Sequence, residues 1–352
     1  MKSEQERFEV GGVEIAAGEQ CTVEIPVAPT YGQDDLSISV HVMRGKRPGP
    51  TLFVCAAIHG DEINGIEIIR RLIRRIDLRK LRGTLLAIPI VNVYGVISHS
   101  RYLPDGRDLN RSFPGSPSGS LTGRVADTFM REIVAKCSHG IDLHTGGRHR
   151  SNFPQIRAEL SDPAVAAMTE AFGAPLVIDS AMRDGSLRHC ATQMGVPVIL
   201  YESCEALRFD EVHIRAGVKG VVNVMRHLGM LRKGRAREPK APIVSKHTQW
   251  LRAPASGIHR VLVTLGARVT ENQVVGLIAD PLGNNETEVI APIGGVIIGR
   301  SNLPLVYEGD ALFHIANIHH RAEFEAESFH EDLMPSDYQK GSEDPSNAPI
   351  AG

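Results

Sequence analysis

The chain has 352 residues, 42% hydrophobic and 23% charged, with a formal net charge of −2. This is globular composition, long enough for one large unit and one small one. It offers neither the basic surface that nucleic acid needs nor a polybasic membrane anchor. No apolar run reaches the roughly 20 residues needed to span a bilayer. The first residues, Met1 to Arg7, are charged and lack an apolar core, so no signal peptide is expected. The cysteines are Cys21, Cys55, Cys137, Cys190 and Cys204, an odd set with no Cys-x-x-Cys. A disulfide framework is therefore not expected, and a reducing cytoplasm is the expected location.

In chain order, Leu36 to Val42 alternates apolar and polar residues, as a half-buried strand does. A turn at Gly45-Lys-Arg-Pro-Gly-Pro leads into the apolar strand Thr51–Ile58, which ends abruptly in His59-Gly-Asp-Glu62. Gly60 is expected to turn the chain there. Ile66, Ile69, Ile73 and Ile76, spaced by three and four among arginines, predict an amphipathic helix. A second buried strand follows Gly83. Strand, helix and uncharged strand in that order predict a βαβ unit with a parallel sheet. A long loop, Asn92 to Gly123, carries Arg101, Asp108-Leu-Asn110-Arg111 and Phe113-Pro-Gly. Loops of this length in a compact domain are usually functional. Val125, Phe129, Ile133 and Cys137 mark the next helix. Then come a strand ending in Asp142-Leu-His144, a helix after Pro163, a strand near Pro175, a helix near Ser186–Met194, and a strand ending in Glu202. A last helix carries Val218, Val221, Val222, Met225 and Leu228.

Three expected strands thus end in polar residues: His59 with Glu62, His144, and Glu202. In open α/β sheets, sites form at the carboxyl ends of strands. Two histidines and one glutamate make a three-ligand zinc site with a position left for water. Glu202 is then free to act as base on that water. His-x-x-Glu alone is a weak signal and serves equally well as a surface pair. The His-Glu-x-x-His helix of the zincins is absent.

His59-Gly-Asp-Glu62, Asp108-Leu-Asn110-Arg111 with Phe113-Pro-Gly, Asp142-Leu-His144 and a strand ending in Glu202 together resemble the succinylglutamate desuccinylase/aspartoacylase family. That family is related to zinc carboxypeptidases. The resemblance covers roughly residues 40–320. It implies a mixed, largely parallel sheet flanked by helices, and one zinc per chain held by His59, Glu62 and His144. It implies Glu202 as general base, Asn110 and Arg111 gripping a substrate carboxylate, and Arg101 polarising the scissile carbonyl. Elementary chemistry agrees: a guanidinium suits planar, bidentate carboxylate recognition, and zinc with a cation stabilises a tetrahedral oxyanion.

Other residues near these motifs have less specific readings. Asp142 shares a strand face with His144 and is either its hydrogen-bond partner or the partner of an arginine. Asp61 braces the loop or meets substrate. Arg148, His149 and Arg150 read as a solvated basic loop, and Arg157 carries no assigned role. They would matter if the substrate has a second carboxylate. His319-His320 reads as a tail feature.

Residues 1–235 are expected to form the deacylase domain, 236–247 a basic, Pro-containing linker, 248–318 a small β domain, and 319–352 an acidic tail. Ala253-Pro-Ala-Ser-Gly257 and Ala291-Pro-Ile-Gly-Gly295 form an imperfect repeat that resembles the barrel-sandwich fold of biotinyl and lipoyl carriers. Carriers attach their cofactor to a lysine, and no lysine lies between Trp250 and His320. A lid or assembly role is left, and an assembly of identical chains stays open.

The expected function is zinc-dependent hydrolysis of a small N-acyl amino acid. Succinylglutamate, acetylaspartate and acetylated diaminobutyrate are the candidate substrates that the resemblance implies. Two rivals stay open: a zinc carboxypeptidase acting on peptides, and a non-catalytic metal-binding module.

Overall fold

The computed structural model describes residues 7–27, 36–232 and 242–318. A hairpin of β1 (Phe8–Val10) and β2 (Val13–Ile15) comes first. Then β3 (Gln20–Pro26) and β4 (Ser37–Arg44) pair antiparallel. β4 alternates buried and half-buried residues, as its sequence predicts.

The centre of the sheet is parallel. β5 (Arg47–Ala56) lies between β6 (Arg82–Ile88) and β7 (His139–Gly146). Helix α1 (Asn64–Arg75) crosses from β5 to β6. It buries Ile68, Ile69 and Leu72, while Ile76, expected within it, is the first residue past its end. The long Asn92–Gly123 segment is better ordered than its length suggests. Asn92 caps α2 (Val93–Ile97), its side chain accepting from the Gly95 N–H at 2.8 Å. Asp108 caps a single 3₁₀ turn, Leu109–Arg111. Ser120 caps α3 (Leu121–Glu132), which stops before the expected Cys137 and gives way to a 3₁₀ turn, Val134–Lys136.

β8 (Arg150–Ala158) follows β7, antiparallel to β10 on one side and parallel to β9. Asp162, Pro163 and the left-handed Gly173 delimit α4 (Pro163–Phe172) in the usual cap, first-position and terminator roles. β9 (Leu176–Asp179), α5 (Leu187–Gln193), β10 (Val198–Glu205) and α6 (Glu211–His227) complete the core. Among the described residues, no helix is long and apolar enough to cross a membrane.

Alternation along β5 explains the two-sided core. Phe53 and Cys55 point to one layer, with α3 and α5. Leu52, Val54 and Ala56 point to the other, with α1, α4 and α6. Both faces are covered, so the central strands are apolar throughout.

The C-terminal region contains β11 (Ile243–Ser245), β12 (Thr248–Arg252), β13 (Gly257–Val261), β14 (Arg268–Val269), β15 (Val274–Ala279), β16 (Thr287–Ile290), β17 (Gly295–Ser301), β18 (Leu305–Val306) and β19 (Ala311–Ala316). The two repeat motifs end at Gly257 and Gly295, the first residues of β13 and β17. β13 belongs to a separate four-stranded sheet, β16-β15-β13-β18, whereas β17 joins the core sheet. The connection is direct: β17 pairs with the start of β8, and β19 and β12 continue outward. Inside the expected linker, Ile243–Ser245 is a strand paired with β9. Residues 236–241 and the expected tail, with His319 and His320, lie outside the described residues.

Phe53 anchors the layer beneath the site. It meets Phe129 edge to face at 6.1 Å, and a Cβ on Gly140 would lie 2.2 Å from its ring. Phe53→Ala is expected to lower stability by about 3–5 kcal/mol in denaturant unfolding. A loss under about 1 kcal/mol, the size of a surface substitution, would contradict this packing.

Candidate metal centre

β5 ends at Ala56, and Ala57 adopts a left-handed backbone, φ 54°. The Glu62 N–H then donates to the His59 carbonyl at 3.0 Å, closing a tight turn that gathers both side chains. Gly60 is required for a reason other than the expected turn. A Cβ there would lie 2.0 Å from the Gly95 carbonyl carbon, so the loop after β6 approaches too closely for any side chain. His144 comes from the adjacent strand β7. Glu202 comes from β10, directly across from His144 in the parallel register.

Glu62 sits between the two histidines. Its Oε1 is 2.6 Å from His59 Nδ1 and its Oε2 is 2.8 Å from His144 Nδ1. The Thr145 N–H also donates to Oε2 at 3.0 Å. All three residues are buried, and their ligand atoms lie within 4.8 Å of one another. Each imidazole is held from behind by a second carboxylate. Asp108 Oδ1 is 3.0 Å from His59 Nε2, and Asp142 Oδ2 is 2.8 Å from His144 Nε2. The far nitrogens are thereby engaged, and the Nδ1 atoms face the shared centre.

The electrostatics follow from that geometry. Burial alone would lower both histidines, but Glu62 and Asp108 raise His59, and Asp142 and Glu62 raise His144 well above the ordinary value. Burial alone would raise Glu62, but the two imidazoles outweigh it and hold its carboxyl well below the usual range. The group is thus a preassembled place for positive charge, which a divalent cation would supply.

Arg101 lies against this cluster. Its guanidinium is 3.3 Å from Glu62 Oε1 and donates to Asp108 Oδ2 at 2.9 Å. Asn110 Oδ1 accepts from the Leu187 N–H at 2.9 Å, which leaves the NH₂ end of its amide as the end to offer a ligand. The Arg111 guanidinium donates to the Asn110 carbonyl. Partial burial pulls Arg111 below its ordinary value, and the neighbouring Arg183 and Arg101 add to that.

Glu202 stands outside the three-residue cluster. Its Oε1 accepts from Asn152 Nδ2 at 2.6 Å, and its Oε2 pairs with Arg157. The basic residues after His144 are not simply solvated. Arg148 is 3.7 Å from Asp61 Oδ2 and donates to the His99 carbonyl. Arg150 lies over the Trp250 ring at 4.7 Å. The His149 N–H donates to Glu205 Oε1 at 3.0 Å. Asp61 points toward Arg148 and braces the loop, its carbonyl accepting from the Leu207 N–H at 2.8 Å.

Sequence reasoning missed Asp108 and Asn152. Asp108 opens the quoted Asp-Leu-Asn-Arg motif, and that position was the available signal. Asn152 gave none, because its contact depends on the irregular β8–β10 register between Glu202 and Cys204.

Residues 48–228 match the sequence model of the succinylglutamate desuccinylase/aspartoacylase catalytic domain. A relative, the N-alpha-acetyl-L-2,4-diaminobutyric acid deacetylase of Halomonas elongata, is 29% identical over 300 residues, 79% of this chain and 84% of that protein. Two solved structures share the fold at 24% identity and a TM-score of 0.76. One is a succinylglutamate desuccinylase/aspartoacylase from Rhodobacter sphaeroides, with 86% of this chain and 96% of that one covered. The other is the product-bound ectoine utilization protein EutE (DoeB) from Ruegeria pomeroyi, with 85% and 95% covered. The matched segment holds His59, Glu62, Arg101, Asn110, Arg111, His144 and Glu202, and the chain belongs to the succinylglutamate desuccinylase/aspartoacylase family.

Proposed function

We propose that the protein hydrolyses the amide bond of a small N-acyl amino acid with a bound divalent metal, zinc in the first instance. The observation that carries this reading is the His59–Glu62–His144 cluster with Glu202 across from His144 on the next strand. The donor chemistry fits the ion. Two imidazoles and one carboxylate converge, each ring backed by a second carboxylate, and two histidines with one glutamate suit a catalytic zinc with an open position. When bound, the ion supplies Lewis acidity and a water of lowered pKa at neutral pH.

The chain's residues do the rest. His59, Glu62 and His144 hold the ion. Glu202 takes a proton from the attacking water and delivers it to the leaving nitrogen. Arg101 turns its guanidinium toward the carbonyl oxygen as negative charge builds there. Arg111 and the Asn110 amide would hold the amino acid's carboxylate and so orient the scissile bond for attack. The named substrate of the Halomonas elongata relative supports an acetylated diamino acid as the first compound to test. The Arg111 guanidinium beside Asn110 supports an anionic substrate group.

Glu202→Gln is expected to lower kcat by about 10²–10⁴-fold with metal content unchanged. Full activity in that variant would remove the base from the account. Arg111→Ala is expected to raise KM by about 10- to 100-fold, the cost of a charged hydrogen bond. An unchanged KM would place the carboxylate elsewhere. Asp142→Ala is expected to weaken metal affinity about 10- to 100-fold in chelator competition. Equal affinity would separate Asp142 from the centre.

A further inference from the structure

A general base must present one oxygen to water in a fixed direction, and the two oxygens of Glu202 have different holders. Arg157 holds Oε2, and the Asn152 amide donates to Oε1 at 2.6 Å. Asn152 is 3% exposed and lies near the start of β8. On one side its backbone pairs with Cys204 of β10, on the other with Gly299 of β17. A Cβ on Gly299 would sit 2.8 Å from Asn152 Oδ1 and 3.3 Å from His314 Cβ. The amide oxygen of Asn152 therefore rests against the C-terminal strands while its nitrogen holds Glu202.

Those strands are themselves fixed on β8. Trp250 of β12 stacks on His314 of β19 at 4.4 Å, with planes 9° apart, and Arg150 of β8 covers the same indole. An ionised carboxylate has about four acceptor positions. The Asn152 hydrogen bond takes one of these on Oε1 and the Arg157 ion pair lies against Oε2, which leaves positions on the carboxylate free for water. Without Asn152, the Arg157 ion pair alone sets the carboxylate's orientation.

We propose that Asn152, held against Gly299, is a positioning residue that fixes the orientation of Glu202 and so makes the C-terminal strands part of the catalytic apparatus. This rests on the reading of Glu202 as base. No charge change or metal contact is involved, so the effect belongs to kcat.

The test uses the full-length, metal-loaded protein and an N-acetyl amino acid that the wild type hydrolyses. Asn152→Ala should lower kcat about 10- to 100-fold with metal content intact and KM within about twofold. In the Glu202→Gln background the same change should add nothing, because residues that act through one group are non-additive. Gly299→Ala, which crowds the Asn152 amide without touching the metal ligands, should lower kcat in the same direction. The proposal is overturned if Asn152→Ala keeps its kcat, loses its metal, or adds its full effect to Glu202→Gln. A harmless Glu202→Gln would instead sink the reading of the base itself, a separable result.

Discussion

A single buried carboxylate organises this site. Glu62 is 2% exposed and lies within 2.8 Å of an imidazole nitrogen on either side. A charge so far from water is costly unless it is paired and hydrogen-bonded. The fold meets that demand with two histidines from neighbouring strands, a backbone N–H from Thr145, and Arg101 from the loop after β6. The histidines in turn need Asp108 and Asp142. Every group in the centre is thus both a donor to the site and a condition for its neighbour's burial.

That chain of requirements explains the surrounding architecture. β5, β7 and β10 are successive parallel neighbours, so their carboxyl ends lie side by side. His59 with Glu62, His144 and Glu202 are delivered there by three separate strands. The Asn92–Gly123 segment after β6, with α2 at its start, closes over the group. Its caps at Asn92 and Asp108 order it, and Asp108 then reaches His59. Backbone contact at Gly60 and Gly95 presses that loop onto the turn that carries the ligands.

Much of this was legible in the sequence because it is local. Uncharged apolar runs announce strands buried on both faces, and polar residues at their ends announce a site. The order of four short motifs carried the family. What was not legible depends on distant pairing. Arg157 sits near the end of its strand with no motif around it, and only the antiparallel entry of β8 beside β10 brings it to Glu202. Arg150 looked like a solvated loop residue because Trp250 lies one hundred positions later in the chain. The small β region looked separate because its composition changes, yet β17 hydrogen-bonds to β8 and extends the core sheet. Gly60 was read as a turn glycine, since sequence does not show which loop will cross it.

The central claim is that His59, Glu62 and His144 hold one divalent metal, and anomalous diffraction at the zinc edge from zinc-loaded crystals tests it most directly. The account predicts a single strong peak between His59 Nδ1, His144 Nδ1 and the Glu62 carboxylate. A peak elsewhere, or none at saturating zinc, would contradict it.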